Sequence, residues 1–239
     1  MLSENEIGRV LVVTAHPDDV DFAAAGTIAQ FTDRGVEVVY CIVTDGDAGG
    51  FDRELDNTGM AELRRTEQTA AAKAVGVTDL RFLGHRDGTL VPGLELRRDI
   101  ARVIRQVRPD LVITHTPERN YSFIAPSHPD HRAVGASALD AVYPDARNPY
   151  AFPELLRDEG LDAWTVREVW LNGGSSPDHF VDVTGAFDRK IAALRAHASQ
   201  TSHVEGFEEF LRSRFSQIAA EAGLPEGSYA EGFQRVVTE

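Results

Sequence analysis

The chain has 239 residues, 42% of them apolar and 26% charged, and a formal net charge of −14. That balance suits a soluble globular protein, and its sign argues against non-specific nucleic-acid binding and anionic membrane surfaces, which both need clustered Lys and Arg. The single cysteine, Cys41, excludes an intramolecular disulfide and a cysteine-built zinc cluster, and within VEVVYCIV it reads as a buried core residue.

The opening segment, MLSENEIGR, has no basic stretch followed by an apolar one, and no apolar run approaches the ~20 residues of a membrane span. A cytoplasmic location is the expectation. Residues 9–14 then read as a strand, 21–34 as a helix and 36–43 as a second strand. After a Gly/Asp loop, 59–75 reads as a long helix stopped by Gly76. A short strand over 79–83, a helix over 94–107 and a strand over 110–115 follow, and then a helix from about 129 to 142. Residues 144–163, with several Pro, Asp and Arg, read as a surface excursion. Strands over 166–171 and 179–183 come next, then helix over 185–200 and mostly helix to about 222.

This alternation predicts an α/β fold, a Rossmann-like three-layer sandwich with a mostly parallel sheet and helices on both faces. No repeat or linker divides the chain, so one domain over 1–239 is expected. Ligands of such sheets sit at the C-terminal ends of the strands.

Three polar segments lie just past predicted strand ends: His16-Pro17-Asp18-Asp19, the loop Thr44-Asp-Gly-Asp-Ala-Gly-Gly50, and His128-Pro129-Asp130-His131. In a parallel sheet all three open onto one edge. His16 and His131 with a carboxylate make a common catalytic zinc set that leaves a position for water. His128 and His131 stand three apart at a helix start and share one face. The adjacent Asp18 and Asp19 diverge, so one can ligate while the other reaches the water. Either motif alone could be a helix cap, with Asp or Pro in the first turn. Capping does not call for histidines at both strand ends.

HPDD after the first strand and HPDH after the fourth, in that order, resemble the LmbE-like (PIG-L) family of zinc-dependent deacetylases. Arg64-x-x-Glu67, Arg86-Asp87-Gly88, Arg119-Asn120-Tyr121, His197-x-Ser199-Gln200 and Tyr229-Ala-Glu231 extend the likeness over most of the chain. The resemblance implies one Zn2+ per chain, with other divalent metals compatible, held by His16, Asp19 and His131. It implies Asp18 as general base, and His128 as the group that stabilises the oxyanion or protonates the leaving amine, oriented by Asp130. Arg64 and Asp87 match substrate-contacting positions. The family's usual Glu after HPDD is Val20 here, which can neither ligate nor accept a proton. Asp21 is expected in the first turn of a helix, on the favourable end of its dipole.

The implied activity is removal of an acetyl group from an N-acetylated small molecule, in particular an N-acetylglucosamine-type derivative. A metal-dependent hydratase of an unsaturated carboxylic acid is the alternative, and it would want Arg64, Arg86 and Arg119 converging on the metal. A dinucleotide-binding module is disfavoured, because TAHPDD stands where G-x-G-x-x-G is needed. The glycine-rich loop lacks a P-loop ending and reads as a turn or a backbone cradle. His197 reads as a satisfied interior histidine. Asn120 and Tyr121 are left open, and His85, His115, His179 and His203 carry no assigned role. The expected partner is a small N-acetylated substrate. Neither nucleic acid nor a membrane is expected as a partner, and the sequence is compatible with a homo-oligomer.

Overall fold

A computed structural model describes residues 2–51 and 54–238. Its seven strands are β1 (Arg9–Thr14), β2 (Glu37–Thr44), β3 (Asp79–His85), β4 (Leu111–His115), β5 (Glu168–Asn172), β6 (His179–Asp182) and β7 (Ala230–Val237). They form a sheet of order β3-β2-β1-β4-β5-β7-β6. The first five are mutually parallel, while β7 runs antiparallel to both β5 and β6.

Strand residues alternate between two apolar layers, as period-2 geometry requires when both faces are covered. Val10, Val12, Tyr40, Ile42 and Ile113 pack on one face with α1 (Asp19–Asp33), α2 (Asn57–Ala74), α6 (Phe187–Ala196) and α8 (Phe207–Glu221). Leu11, Val13, Val39, Cys41 and Val112 pack on the other with α3 (Leu94–Val107) and α4 (Pro129–Asp140). The three-layer α/β expectation holds. Cys41 is fully buried, and burial pushes its thiol up to about 12.

Two expectations need correction. The sequence reading ended near 222, yet β7 lies between β5 and β6. Its residues alternate poorly in hydrophobicity, because it is held partly by ionic contacts: Arg235 reaches the fully buried Glu168 on β5. The excursion over 144–163 is also less superficial than its composition suggests. It contains a short helix, α5 (Pro153–Arg157), and buries Ala146 and Leu155. The guanidinium of buried Arg105 donates to the carbonyls of Asp145, Ala146, Asn148 and Ala151, pinning the segment to α3. Among the described residues there are also α7 (Ala198–Thr201) and four short helical segments. Among the described residues, no helix is long and apolar enough to cross a membrane.

Candidate metal centre

β1 lies between β2 and β4, so the chain leaves β1 toward one half of the sheet and β4 toward the other. A crevice opens at such a switch point, and both histidine-rich segments border it. After β1 the chain turns sharply into α1. Asp18 has φ 92° and ψ −30°, a left-handed conformation that costs a non-glycine residue about 1–3 kcal/mol. Three contacts hold it. The Asp18 N–H donates to Gln68 Oε1 at 2.8 Å, and Arg64 donates to the Pro17 carbonyl at 2.6 Å and to Asp18 Oδ2 at 3.1 Å. Asp18 occupies the N-cap position of α1 but its side chain makes no capping bond. Asp19 instead folds back, its Oδ2 accepting the His16 N–H at 2.7 Å.

The second segment is read one half-turn differently. α4 begins at Pro129, and His128 is a true N-cap whose Nδ1 accepts the Asp130 N–H at 3.2 Å. The helix lies tight against β4. A Cβ on Gly135 would stand 2.3 Å from the His115 carbonyl oxygen, so only glycine allows this approach. His131 is thereby carried into the crevice, stacked on the His115 ring with centroids 4.2 Å apart and planes 5° from parallel.

Three donor atoms converge there. His16 Nδ1 lies 3.2 Å from His131 Nε2 and 3.2 Å from Asp19 Oδ2, and His131 Nε2 lies 2.9 Å from Asp19 Oδ1. The opposite edge of each ring fixes where its proton sits. His131 Nδ1 faces the Pro126 carbonyl at 3.1 Å, and His16 Nε2 faces Asp87 Oδ1 at 3.0 Å and Asp130 Oδ2 at 3.3 Å. With hydrogen on both outer nitrogens, the two inner ones would present lone pairs to a cation, a place that a proton shared with the Asp19 carboxylate takes when no cation is bound. Lone pairs at these separations repel unless a positive charge lies between them. The donor set fits a divalent cation of borderline softness, and nitrogen–oxygen sets of this kind suit zinc with an open position.

The titration behaviour has the same cause. Burial works against a charged His16, yet Asp19, Asp130 and Asp87 outweigh it and raise the ring to about 12. The field that would hold a proton there would hold a metal. Burial raises Asp18 to about 6, against the opposing pull of Arg64. Burial and the neighbouring His131 lower His115 to about 4, keeping it neutral. Burial, then His16 and His131, also lower His128.

Each candidate residue has a definite place. His16, Asp19 and His131 meet. Asp18 stands beside them, and the His128 ring packs edge-on to His16 at 4.9 Å. Asp130 is fully buried and takes the N–H groups of Gly88 and Leu90 at 2.7 and 3.1 Å. Its carboxylate faces His16, and it touches His128 only through its backbone. Asp87 turns one oxygen to His16 and receives support through its N–H from Asp47. Arg64, matched to a substrate-contacting position, is only 4% exposed and is committed to Pro17, Asp18 and Gly46. Of the glycine-rich loop, Gly46 and Asp47 thus brace this side of the site.

Sequence reasoning missed His115. Its Nε2 accepts the Ala15 N–H at 3.1 Å, so its lone pair is spent on bracing β1. The only available signal was its position as the last residue of a predicted strand. It also missed Gln68, whose amide joins the Asp18 N–H to Asp21 Oδ2, itself 2.8 Å from His197 Nε2. Asp21 is in the first turn of α1, as expected, but fully buried; His197 is interior, as expected. Lys190 closes this polar core from α6, donating to the carbonyls of Asp21 and Phe22 and to Glu231 of β7.

The family model of GlcNAc-PI de-N-acetylases (PIG-L) matches residues 11–142. The diacetylchitobiose deacetylase of Thermococcus kodakarensis is 33% identical over 97% of this chain and 84% of its own length. A probable N-acetyl-alpha-D-glucosaminyl L-malate deacetylase 2 of Bacillus cereus is 35% identical over 81% of this chain and 84% of its own. The solved N,N'-diacetylchitobiose deacetylase of Pyrococcus horikoshii, complexed with its inhibitor MPG, superposes with a TM-score of 0.89. It is 32% identical, over 98% of this chain and 85% of that one.

Proposed function

Because the chain belongs to the PIG-L (LmbE-like) family, we propose that it is a zinc-dependent hydrolase of N-acetylglucosamine-type sugar derivatives, releasing acetate and a free amine. The observation that carries this reading is the meeting of His16 Nδ1, His131 Nε2 and the Asp19 carboxylate beside a buried, strained Asp18. The likeness to two deacetylases over more than four fifths of the chain supports it.

His16, Asp19 and His131 would hold the metal, and Asp130 and Asp87 would fix the His16 ring from behind, as outer carboxylates do for metal-ligating histidines. When bound, the metal supplies Lewis acidity toward the amide carbonyl and makes water acidic enough to be deprotonated near neutral pH. Asp18 takes the proton from water as its oxygen bonds to the carbonyl carbon. Its carboxyl, raised to about 6 by burial, suits a base that must later release that proton. His128 faces the developing charge, and the proton taken by Asp18 passes by way of His128 to nitrogen as the C–N bond breaks. Arg64 keeps Asp18 aimed, and Asp87 borders the space for the sugar.

The hydratase alternative asked for arginines gathered at the metal. Arg64 is held by Asp18 and backbone carbonyls, while the Arg86 side chain is 73% exposed and Arg119 is exposed. The test is acetate release from a panel of N-acetylated aminosugars by metal-loaded protein, chelator-stripped protein and the Asp18→Asn variant. Release by the loaded parent alone is the expected result. A metal-loaded parent that releases acetate from none of the panel sinks the proposal.

A further inference from the structure

A cavity of about 540 Å³ adjoins the candidate centre on the β4–β5 side, and Asp19, His115 and His131 form its inner wall. Its outer walls are mainly apolar, with Phe22 of α1, Leu211 and Phe215 of α8 and Phe123 before α4, and polar side chains such as Asn172 and Gln234 stand between them. A volume in this range is that of a small-molecule site. Around it Phe22, Phe123 and Phe210 are left 36%, 47% and 57% exposed, an arrangement that disfavours the free protein unless something apolar covers it.

The opposite side of the centre is different. Asp18, Asp47, Asp87 and Arg64 border it, and neither they nor His128 line the cavity. This asymmetry orients the substrate. The scissile carbonyl must lie at the three donor atoms, and its two substituents leave in different directions. His128 meets the leaving nitrogen, so the amine-bearing sugar lies on the polar side. The acyl substituent is then directed at the cavity. An acetyl group is one methyl beyond the carbonyl and would leave nearly all of that volume unfilled.

We propose that this cavity is an acyl subsite, and that the enzyme turns over N-acyl aminosugars with medium-length alkyl chains faster than the N-acetyl compound. The inference rests on the deacetylase reading above and extends its substrate class. The chemistry is unchanged: water adds its oxygen to the acyl carbon, the C–N bond breaks, and the nitrogen gains a proton, giving a fatty carboxylate and the amine. Chain burial adds binding without altering the reacting atoms. Where the carbons lie along the apolar part of the preformed wall, kcat/KM is expected to rise roughly threefold to fourfold for each of the first few added methylenes.

The experiment is amine release from glucosamine carrying acetyl, butyryl, hexanoyl or octanoyl groups, by metal-loaded protein of verified metal content. Ile218→Trp and Ala125→Trp, which fill the cavity from two different segments, are assayed alongside. The expected result is a rise from acetyl to hexanoyl, with the hexanoyl-to-acetyl ratio falling at least roughly tenfold in a folded cavity-filling variant. Acetyl turnover that declines with chain length overturns the acyl subsite and leaves the deacetylase reading standing. A ratio unmoved in both variants overturns it as well. Absence of turnover for every member, acetyl included, overturns the deacetylase reading itself.

Discussion

The segments His16-Pro17-Asp18-Asp19 and His128-Pro129-Asp130-His131 share three residues of four and both lead from a strand into a helix, yet they fold in different registers. In the second, proline opens the helix and the first histidine caps it, so the aspartate is turned inward and fully buried. In the first, the helix starts two residues later, proline lies outside it, and the third residue is forced to φ 92°. Asp18 therefore stands at the crevice, while Asp130 supports His16 from behind. The fourth residues, Asp19 and His131, meet at 2.9 Å. On the proposed mechanism, identical residues thus acquire a base's role in one register and a supporting role in the other. Helix phase decides, and a motif string does not show it.

The largest expected effect separates the two aspartates directly. Asp18→Asn should lose about 10²–10⁴ in turnover, as removal of a general base does, while metal content measured by atomic absorption stays at the parent's level. Asp130→Asn should act on the metal instead. It leaves the His16 ring without one of its outer carboxylates, and competition with a chelator should show affinity weakened about 10–100-fold. The comparison breaks if the two variants exchange phenotypes, with Asp18→Asn shedding metal and Asp130→Asn retaining it at low turnover.

Much of this was legible in the chain because it depends on local pattern. The parallel strands announce themselves as apolar runs; the first motif follows directly from a strand end, and the second follows the fourth strand after a loop. What the sequence hid depends on long-range partners. β7 is stabilised through Arg235 and Glu168, 67 residues apart, and so lacks clear alternation. Helix periodicity does not reveal that the Pro17 and Gly46 carbonyls await Arg64. His115 passed without a role because the β1–β4 pairing that places it beside Ala15 joins residues 100 positions apart. The assignment of Asp130 to His128 followed from adjacency, whereas the carboxylate points across the crevice.

Smaller effects should come from the polar core beneath the first motif, which the second motif does not have. Gln68→Leu removes the acceptor of the Asp18 N–H and one of the two partners of Asp21 Oδ2, a loss of about 1–3 kcal/mol in stability for the buried group left unsatisfied. If Gln68 also holds the strained turn in place, kcat should fall roughly tenfold with KM little changed, because only the aim of Asp18 is disturbed. A stability loss at unchanged kcat would show that Arg64 suffices.

The smallest effect concerns His197. Burial opposes its charge, but Asp21, 2.8 Å away, raises its titration above the usual 6.5. A histidine raised by folding contributes stability fully below its unfolded value, and the contribution is lost as pH rises through the folded one. The stability difference between parent and His197→Gln, from urea unfolding, should therefore be larger at pH 6 than at pH 9. A difference independent of pH would mean that the bond to Asp21 is made by the neutral ring. The strained turn would then rest on a network of neutral hydrogen bonds, and its support would not weaken in mild base.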